Sequence, residues 1–91
     1  YILRCSDGTF YVGVTNNLER RFNEHQRGIN PTAYTHNRRP VELVYSQVFT
    51  DFLLAFEWET KIKNWSHAKK KAFIEGRYDD LVRLSKKKFR K

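Results

Sequence analysis

Five residues of this chain have types and positions that could do chemistry together: Tyr1, Tyr11, Arg21, His25 and Glu59. Helix positions advance by about 100° per residue, so side chains four apart are neighbours on one face. From Leu18 onward, Leu18, Phe22 and Ile29 mark an apolar stripe, although Ile29 lies past the expected helix end. Arg21 and His25 fall inside or beside it. From Phe52 onward, Ala55, Phe56 and Ile62 mark a second stripe, with Glu59 in its middle, Glu57 off it and Lys63 near its edge. A charged group on a core-facing side is costly unless it is paired or liganded. Two such faces, one offering Arg and His and one offering Glu, can converge on one site. Singly, each residue has an ordinary reading: a histidine at a core margin, an arginine laying its stem on apolar surface, a glutamate paired with a nearby base. Their joint placement is what points to a shared functional site. Tyr11 points opposite to Phe10 and Val12, to the side of Gly13. A glycine within a strand marks close approach of a ligand or another backbone, which makes Gly13 a structural position. Tyr1 belongs to the paired strand. The plainer reading of the tyrosines is two half-buried aromatics whose hydroxyls are satisfied locally.

The elements that must position these groups follow from local signals. Tyr1 to Arg4 is β-favouring, Ser6-Asp7-Gly8 is a turn, and Phe10, Val12 and Val14 alternate with Tyr11, Gly13 and Thr15. That predicts a hairpin with a three-residue loop. Asn16 or Asn17 caps a helix running from Leu18 to near Gly28. Residues 28 to 40 hold glycine, asparagine and proline and read as a loop long enough to carry function. Val41 to Phe49 is a third strand. Asp51 caps a helix from Phe52 to about Asn64, Ser66 caps another that ends at Gly76, and Asp79 or Asp80 opens a fourth that fades into the basic tail. The predicted order is β-β-α-β-α-α-α: an α+β fold with a small three-stranded antiparallel sheet and helices packed over one face.

Composition narrows the class. Ninety-one residues make one domain, with 40% apolar and 15% aromatic residues to fill its core. No apolar run approaches the about 18 residues of a membrane span. The single cysteine, Cys5, excludes an internal disulfide framework and points to a reduced compartment, the cytoplasm. The chain holds no methionine and its first residues already read as strand, so it is expected to begin inside an element. Net charge is +8, and its distribution is uneven. Residues 1–60 carry six Lys or Arg against seven acids, whereas residues 61–91 carry twelve against three. Such a field attracts polyanions, nucleic acid first, since phosphate neutralisation releases counterions. An anionic membrane fits less well, because no strong apolar face backs the lysines.

With these residues in view, the chain resembles the GIY-YIG nuclease family. Tyr1 matches the tyrosine of the first motif, whose preceding residues lie outside this chain, and Tyr11-Val12-Gly13 resembles the second. Leu18 to His25 is similar to the family's first helix, with Arg21 and His25 in the characteristic places. Ala55 to Lys63 resembles the later helix, with Glu59 at the metal-binding position. Ala33-Tyr34-Thr35, Arg38-Arg39-Pro40 and Leu43-Val44-Tyr45 are similar to small stand-alone bacterial members, as is Ile62-Lys63 followed by Ser66, Lys70 and Ala72. The likeness covers most of residues 1–75.

The resemblance implies a metal-dependent endonuclease domain over residues 1–75, followed by a basic C-terminal helix and tail at 76–91. Tyr11 would act as general base, which requires its pKa, about 10 unperturbed, to fall under the influence of Arg21 and a cation. Tyr1 and His25 would orient or share that proton. Arg21 would hold the scissile phosphate, and Glu59 would bind one Mg²⁺ or Mn²⁺. Further contacts to nucleic acid, most simply DNA, are expected from Tyr34, with His36 as a neighbour in the same loop, and from Arg38, Arg39, Lys63, Lys69, Lys70, Lys71, Lys86 and Lys87. A monomer acting in repair or recombination is the expected setting. Two departures stand out. The asparagine that the family often places after the metal glutamate has no counterpart in the later helices, and Asn64 falls too early. Phe56-Glu57-Trp58 also superficially matches the glutamate motif of structure-selective relatives, although helical phase favours Glu59. Two rivals are a binding module of the same fold that does not cut, and a plain basic structural protein of a ribonucleoprotein particle, which leaves Glu59 and His25 on apolar faces without explanation.

Overall fold

The computed structural model describes the backbone of residues 1–87 and the side chains of residues 1–84. The expected roles of Lys86, Lys87 and the basic tail at 88–91 in binding nucleic acid lie outside the described side chains. The element order is β1 (Ile2–Arg4), β2 (Phe10–Val12), α1 (Leu18–Arg27), a 3-10 turn (His36–Arg38), β3 (Glu42–Tyr45), α2 (Phe52–Lys63), α3 (His67–Ile74) and α4 (Tyr78–Lys87). The sheet is antiparallel with order β2-β1-β3, as α+β patterning predicts. Ile2 opposes Val12 on one side and Tyr45 on the other.

The strands are shorter than their sequence signals. β2 stops at Val12, although the ladder continues one step further, where the Tyr1 nitrogen donates to the Gly13 carbonyl at 2.9 Å and the Gly13 N–H donates back at 3.0 Å. β3 covers Glu42–Tyr45 rather than Val41 to Phe49, because pairing with Ile2 brings it to the end of β1. Val41 is held instead by a side chain: its N–H donates to Gln26 Oε1 at 2.9 Å and its carbonyl accepts from Gln26 Nε2 at 2.7 Å. Gln26, which helical phase alone points away from the core stripe, thus acts as a substitute strand partner.

Helix limits follow the caps. Asn17 Oδ1 accepts from the Arg20 N–H, and Gly28 ends α1 in the left-handed region at φ 65°. Asp51 caps α2 through the Leu53 N–H, and Ser66 caps α3 through the Lys69 N–H. α3 ends at Ile74, two residues before Gly76, and α4 opens at Tyr78 with Asp79 and Asp80 in its first turn, where carboxylates suit the helix dipole.

The sheet is covered on both faces, which corrects the one-face expectation. Central β1 buries consecutive apolar side chains, and alternation sends them to opposite sides. Leu3 packs with Cys5, Val41, Tyr1, Tyr11 and Phe22 on the α1 side. Ile2 packs with Val12, Ile62, Phe10, Trp65 and Phe73 on the side of α2 and α3. The stripe predicted on α2 needs a second correction. Ile62 is buried and Ala55 half-buried, but Phe56 is 55% exposed and stacks on Phe52 at the surface. Six residues separate Phe56 from Ile62, which places them about 120° apart around the helix. Ile29 is likewise exposed, outside α1. Among the described residues, no helix is long and apolar enough to cross a membrane.

Candidate active site

The site starts at the end of the hairpin. Tyr1 and Gly13 face each other across the ladder, and the Tyr1 ring lies over the glycine. A β-carbon at Gly13 would stand 2.6 Å from Tyr1 Oη and 2.7 Å from Cζ. Close approach at Gly13 was legible in the sequence; the group that approaches is the ring of Tyr1.

That ring position delivers the hydroxyl to α1. Tyr1 Oη lies 2.9 Å from His25 Nε2. His25 is 9% exposed, and its Nδ1 lies 2.7 Å from the hydroxyl of Thr35, which is 1% exposed. The Tyr11 ring centroid is 5.0 Å from that of His25 and 6.2 Å from that of Tyr1. Tyr34 stacks on the outer side of Tyr11 with centroids 6.1 Å apart, and the Arg38 guanidinium covers Tyr34 at 3.9 Å. Arg21, one turn before His25, is half-buried and donates from Nε to Glu24 Oε1 at 3.0 Å.

Electrostatics fix the resting protonation of the cluster. Burial pushes the Tyr1 phenol up to about 12; the neighbouring Tyr11 adds to the rise and Arg21 opposes it. Burial lowers the His25 pKa, Arg21 lowers it further, and Glu24 works the other way. At neutral pH the pair is therefore a phenol beside an uncharged imidazole, held next to a guanidinium.

Glu59 reaches the site from the other face of the sheet. Its side chain is 12% exposed and lines a groove of about 740 Å³ together with Tyr1 and Gly13, while Phe49, Phe52 and Trp58 form the more apolar part. Among the described residues, no contact joins Glu59 to Tyr11, Arg21 or His25. The five residues are thus a cluster of four on the α1 side and a carboxylate on the α2 side, and Tyr1 belongs to both. Oε2 of Glu59 pairs with Lys63 Nζ at 3.2 Å, and Oε1 meets only the Thr60 hydroxyl at 3.4 Å. No group of three or more His, Cys, Asp or Glu that could hold a metal occurs among the described residues. Glu59 is the one carboxylate lining the groove among the described residues, so any cation held there would have to take most of its shell from water or phosphate. Glu57 is exposed on α2 and does not line the groove.

The remaining candidate residues divide into two groups. Arg38 and Arg39 are engaged within the chain. Arg38 donates to Asp7 at 3.0 Å and to the Tyr34 carbonyl at 2.6 Å. Arg39 donates to the His36 and Gln26 carbonyls at 2.8 and 3.3 Å, and packs where a β-carbon on Gly28 would stand. It serves as a cation at the C-terminus of α1. His36 Nδ1 is buried without a hydrogen-bond partner among the described residues. On α2 and α3, Lys63 pairs with Glu59, Lys69 lies 4.5 Å from the Trp65 ring centroid, burial lowers the pKa of Lys70, and Lys71 is exposed. Sequence reasoning missed Thr35 as a partner of His25. A threonine in an irregular loop carries no periodicity, and its only signal was its place beside Tyr34.

Comparison with known proteins agrees with this arrangement. A model of the GIY-YIG catalytic domain matches residues 1–72. A UPF0213 protein of Bacillus pumilus is 41% identical over 75 residues, covering 82% of this chain and 76% of its own. Those of Natronomonas pharaonis (43% over 74 residues, 81% and 86% covered) and Halalkalibacterium halodurans (35% over 88 residues, 93% of each) are similar. No solved structure matches. By the match over residues 1–72 and these identities, the chain belongs to the GIY-YIG nuclease family, alongside its small UPF0213 members.

Proposed function

We propose that this protein is a metal-dependent endonuclease that hydrolyses phosphodiester bonds in DNA, acting in the cytoplasm as a monomer in repair or recombination. The observation that carries this reading is the hydrogen-bonded pair of Tyr1 and His25, set beside Tyr11 and Arg21 and opening, through Tyr1, onto the groove that holds Glu59. Hydrolysis needs a proton acceptor for the attacking water, charge stabilisation at the phosphoryl oxygens, and help for the leaving oxygen. Arg21 has a planar, always-charged fork suited to a phosphate, and breaking its exposed pair with Glu24 costs little. Tyr11 is the base of this reading. The Tyr1–His25 pair holds a neutral imidazole that can take or return a proton through the Tyr1 hydroxyl. Glu59 would hold Mg²⁺ or Mn²⁺, whose chemistry when bound is to polarise a phosphoryl oxygen and lower the pKa of water. Lysines of α3 supply charge for the flanking backbone.

Plasmid nicking tests this. With supercoiled DNA and Mg²⁺, the wild type should nick, and Glu59→Ala and Tyr11→Phe should each lose at least about 100-fold, the lower range for a general base. Salt-sensitive binding without nicking, across Mg²⁺ and Mn²⁺ and several DNA structures, would establish the rival reading of a non-cutting module. The Glu59–Lys63 ion pair, which occupies one oxygen of the carboxylate, favours that rival.

A further inference from the structure

We propose that Thr35 is a positioning residue for this site, fixing the imidazole of His25 in one orientation and one tautomer, with Nε2 facing Tyr1. The inference deepens the nuclease reading and rests on it for its kinetic consequence, although its structural part stands alone.

Both ring nitrogens of His25 are engaged, at 2.9 Å with Tyr1 Oη and at 2.7 Å with Thr35 Oγ1. A flip of the ring would put carbons in both places and lose both bonds, each worth about 1 kcal/mol net. Thr35 is almost fully buried, so water does not compete for its hydroxyl. The threonine is itself held from both sides. Upstream, Asn30 Oδ1 accepts from the Thr32 N–H at 3.0 Å and closes a turn. Downstream, the Arg38 N–H donates to the Thr35 carbonyl at 2.9 Å, and the Arg38 carbonyl accepts from the Ser6 N–H at 2.8 Å. Arg38 to Asp7 and Arg39 to the end of α1 complete the anchoring. The loop that sequence reads as irregular is therefore a rigid bracket between hairpin and helix, with Thr35 at its inner point.

The tautomer is fixed from the Thr35 side. Tyr1 Oη can donate or accept, and Tyr11 and Arg21 both act on it beside His25. The Thr35 hydroxyl is buried and Nδ1 is its one hydrogen-bond partner among the described residues, so the role it takes toward Nδ1 selects which ring nitrogen carries the proton and hence the role of Nε2 toward Tyr1. Replacing Thr35 with an isosteric apolar residue leaves Nδ1 without its partner and lets the ring exchange between states.

The test is ¹⁵N NMR of the histidines in the full chain, with nicking kinetics beside it. The wild type should show His25 as a single neutral tautomer at neutral pH. Thr35→Val should give a tautomer mixture and lower kcat for plasmid nicking at least about tenfold with KM little changed, within the range of acid–base groups. Thr35→Ser should restore both the spectrum and the rate. A tautomer mixture in the wild type overturns the proposal, and so does a Thr35→Val spectrum identical to wild type. If Thr35→Val does not fold, the wild-type spectrum and the Ser variant decide alone. If the wild type does not nick, the nuclease reading fails while the NMR result still decides the role of Thr35.

Discussion

Gly13→Ala puts the hairpin end under the most direct test. The backbone at Gly13 is not in the left-handed region, so alanine is conformationally acceptable there and the whole penalty is steric. The new β-carbon would stand 2.6 Å from Tyr1 Oη, 2.7 Å from Cζ and 3.0 Å from Cε1. Ordinary carbon contacts begin at about 3.5 Å, so the ring must retreat by roughly 1 Å. The hydroxyl it carries is fixed to His25 at 2.9 Å, and a shift of that size breaks the bond or drags His25 off Thr35. Overpacking of this kind costs about 1–3 kcal/mol, and one lost hydrogen bond adds about 1 kcal/mol. The reduced freedom of the unfolded chain returns about 0.4–1 kcal/mol. The net expectation is a loss of about 1–3.5 kcal/mol, with nicking reduced about 100-fold if a 1 Å displacement at the site has its usual effect. Denaturant unfolding of Gly13→Ala, Tyr1→Ala and the double variant isolates the cause. Most of the loss should disappear in the Tyr1→Ala background, giving a coupling of at least about 1.5 kcal/mol. Additive effects would refute the reasoning, because the glycine would then be needed for something other than the ring.

Two further outcomes follow from the same geometry. Gln26→Ala leaves the N–H and carbonyl of Val41 without their partners; a loss of about 2 kcal/mol is expected, read from the urea midpoint, and a change below 0.5 kcal/mol would show that water replaces the amide. His25 has a folded pKa below its unfolded value near 6.5, so its neutral state contributes stability that is fully present above that value and lost as pH falls through the folded pKa. The groups that face it are Tyr1, Tyr11, Arg21, Glu24 and Thr35. His25→Gln should flatten the stability profile below about pH 6.5, and an unchanged slope there would place the acid sensitivity elsewhere.

The parts of the fold that could be read from sequence are those governed by local rules. Asn17, Asp51, Ser66 and Gly28 mark helix ends by chemistry that acts within four residues, and each does so in the structure. The burial of His25 and the near-burial of Glu59 follow from helical phase alone. What local rules could not supply is which side of the sheet each helix takes. Ile2 and Leu3 are adjacent apolar residues, compatible with one buried face plus an exposed edge or with two buried faces, and only the later elements decide. Phe56 misled for a related reason. The first two turns of α2 are apolar nearly all round, so periodicity there has no phase, and the covered side is the one that carries Ala55, Glu59 and Ile62. Thr35 and Gln26 escaped because their partners are 10 and 15 residues away in sequence with no repeat to announce them.

The ion pair between Glu59 and Lys63 could be taken as proof that the carboxylate is already spoken for, and its magnitude decides the question. The pair spans one helical turn, and the lysine end is 60% exposed. Pairs of this kind are worth about 0.3–0.5 kcal/mol. Giving it up to admit a divalent cation therefore weakens that cation's apparent binding by only about twofold. Among the described residues Oε1 has only a long hydrogen bond from Thr60, so one oxygen is not held by the lysine. Lys63→Ala should accordingly tighten Mn²⁺ binding, measured calorimetrically or by water-proton relaxation, by about two- to fourfold, the upper part coming from removal of a nearby positive charge. Tightening beyond about 20-fold, equivalent to roughly 1.8 kcal/mol, would mean that the pair is far stronger than its exposure suggests. Glu59 would then be a structural residue of α2, and the groove beside Tyr1 would have to be read as a surface that grips DNA without cutting it.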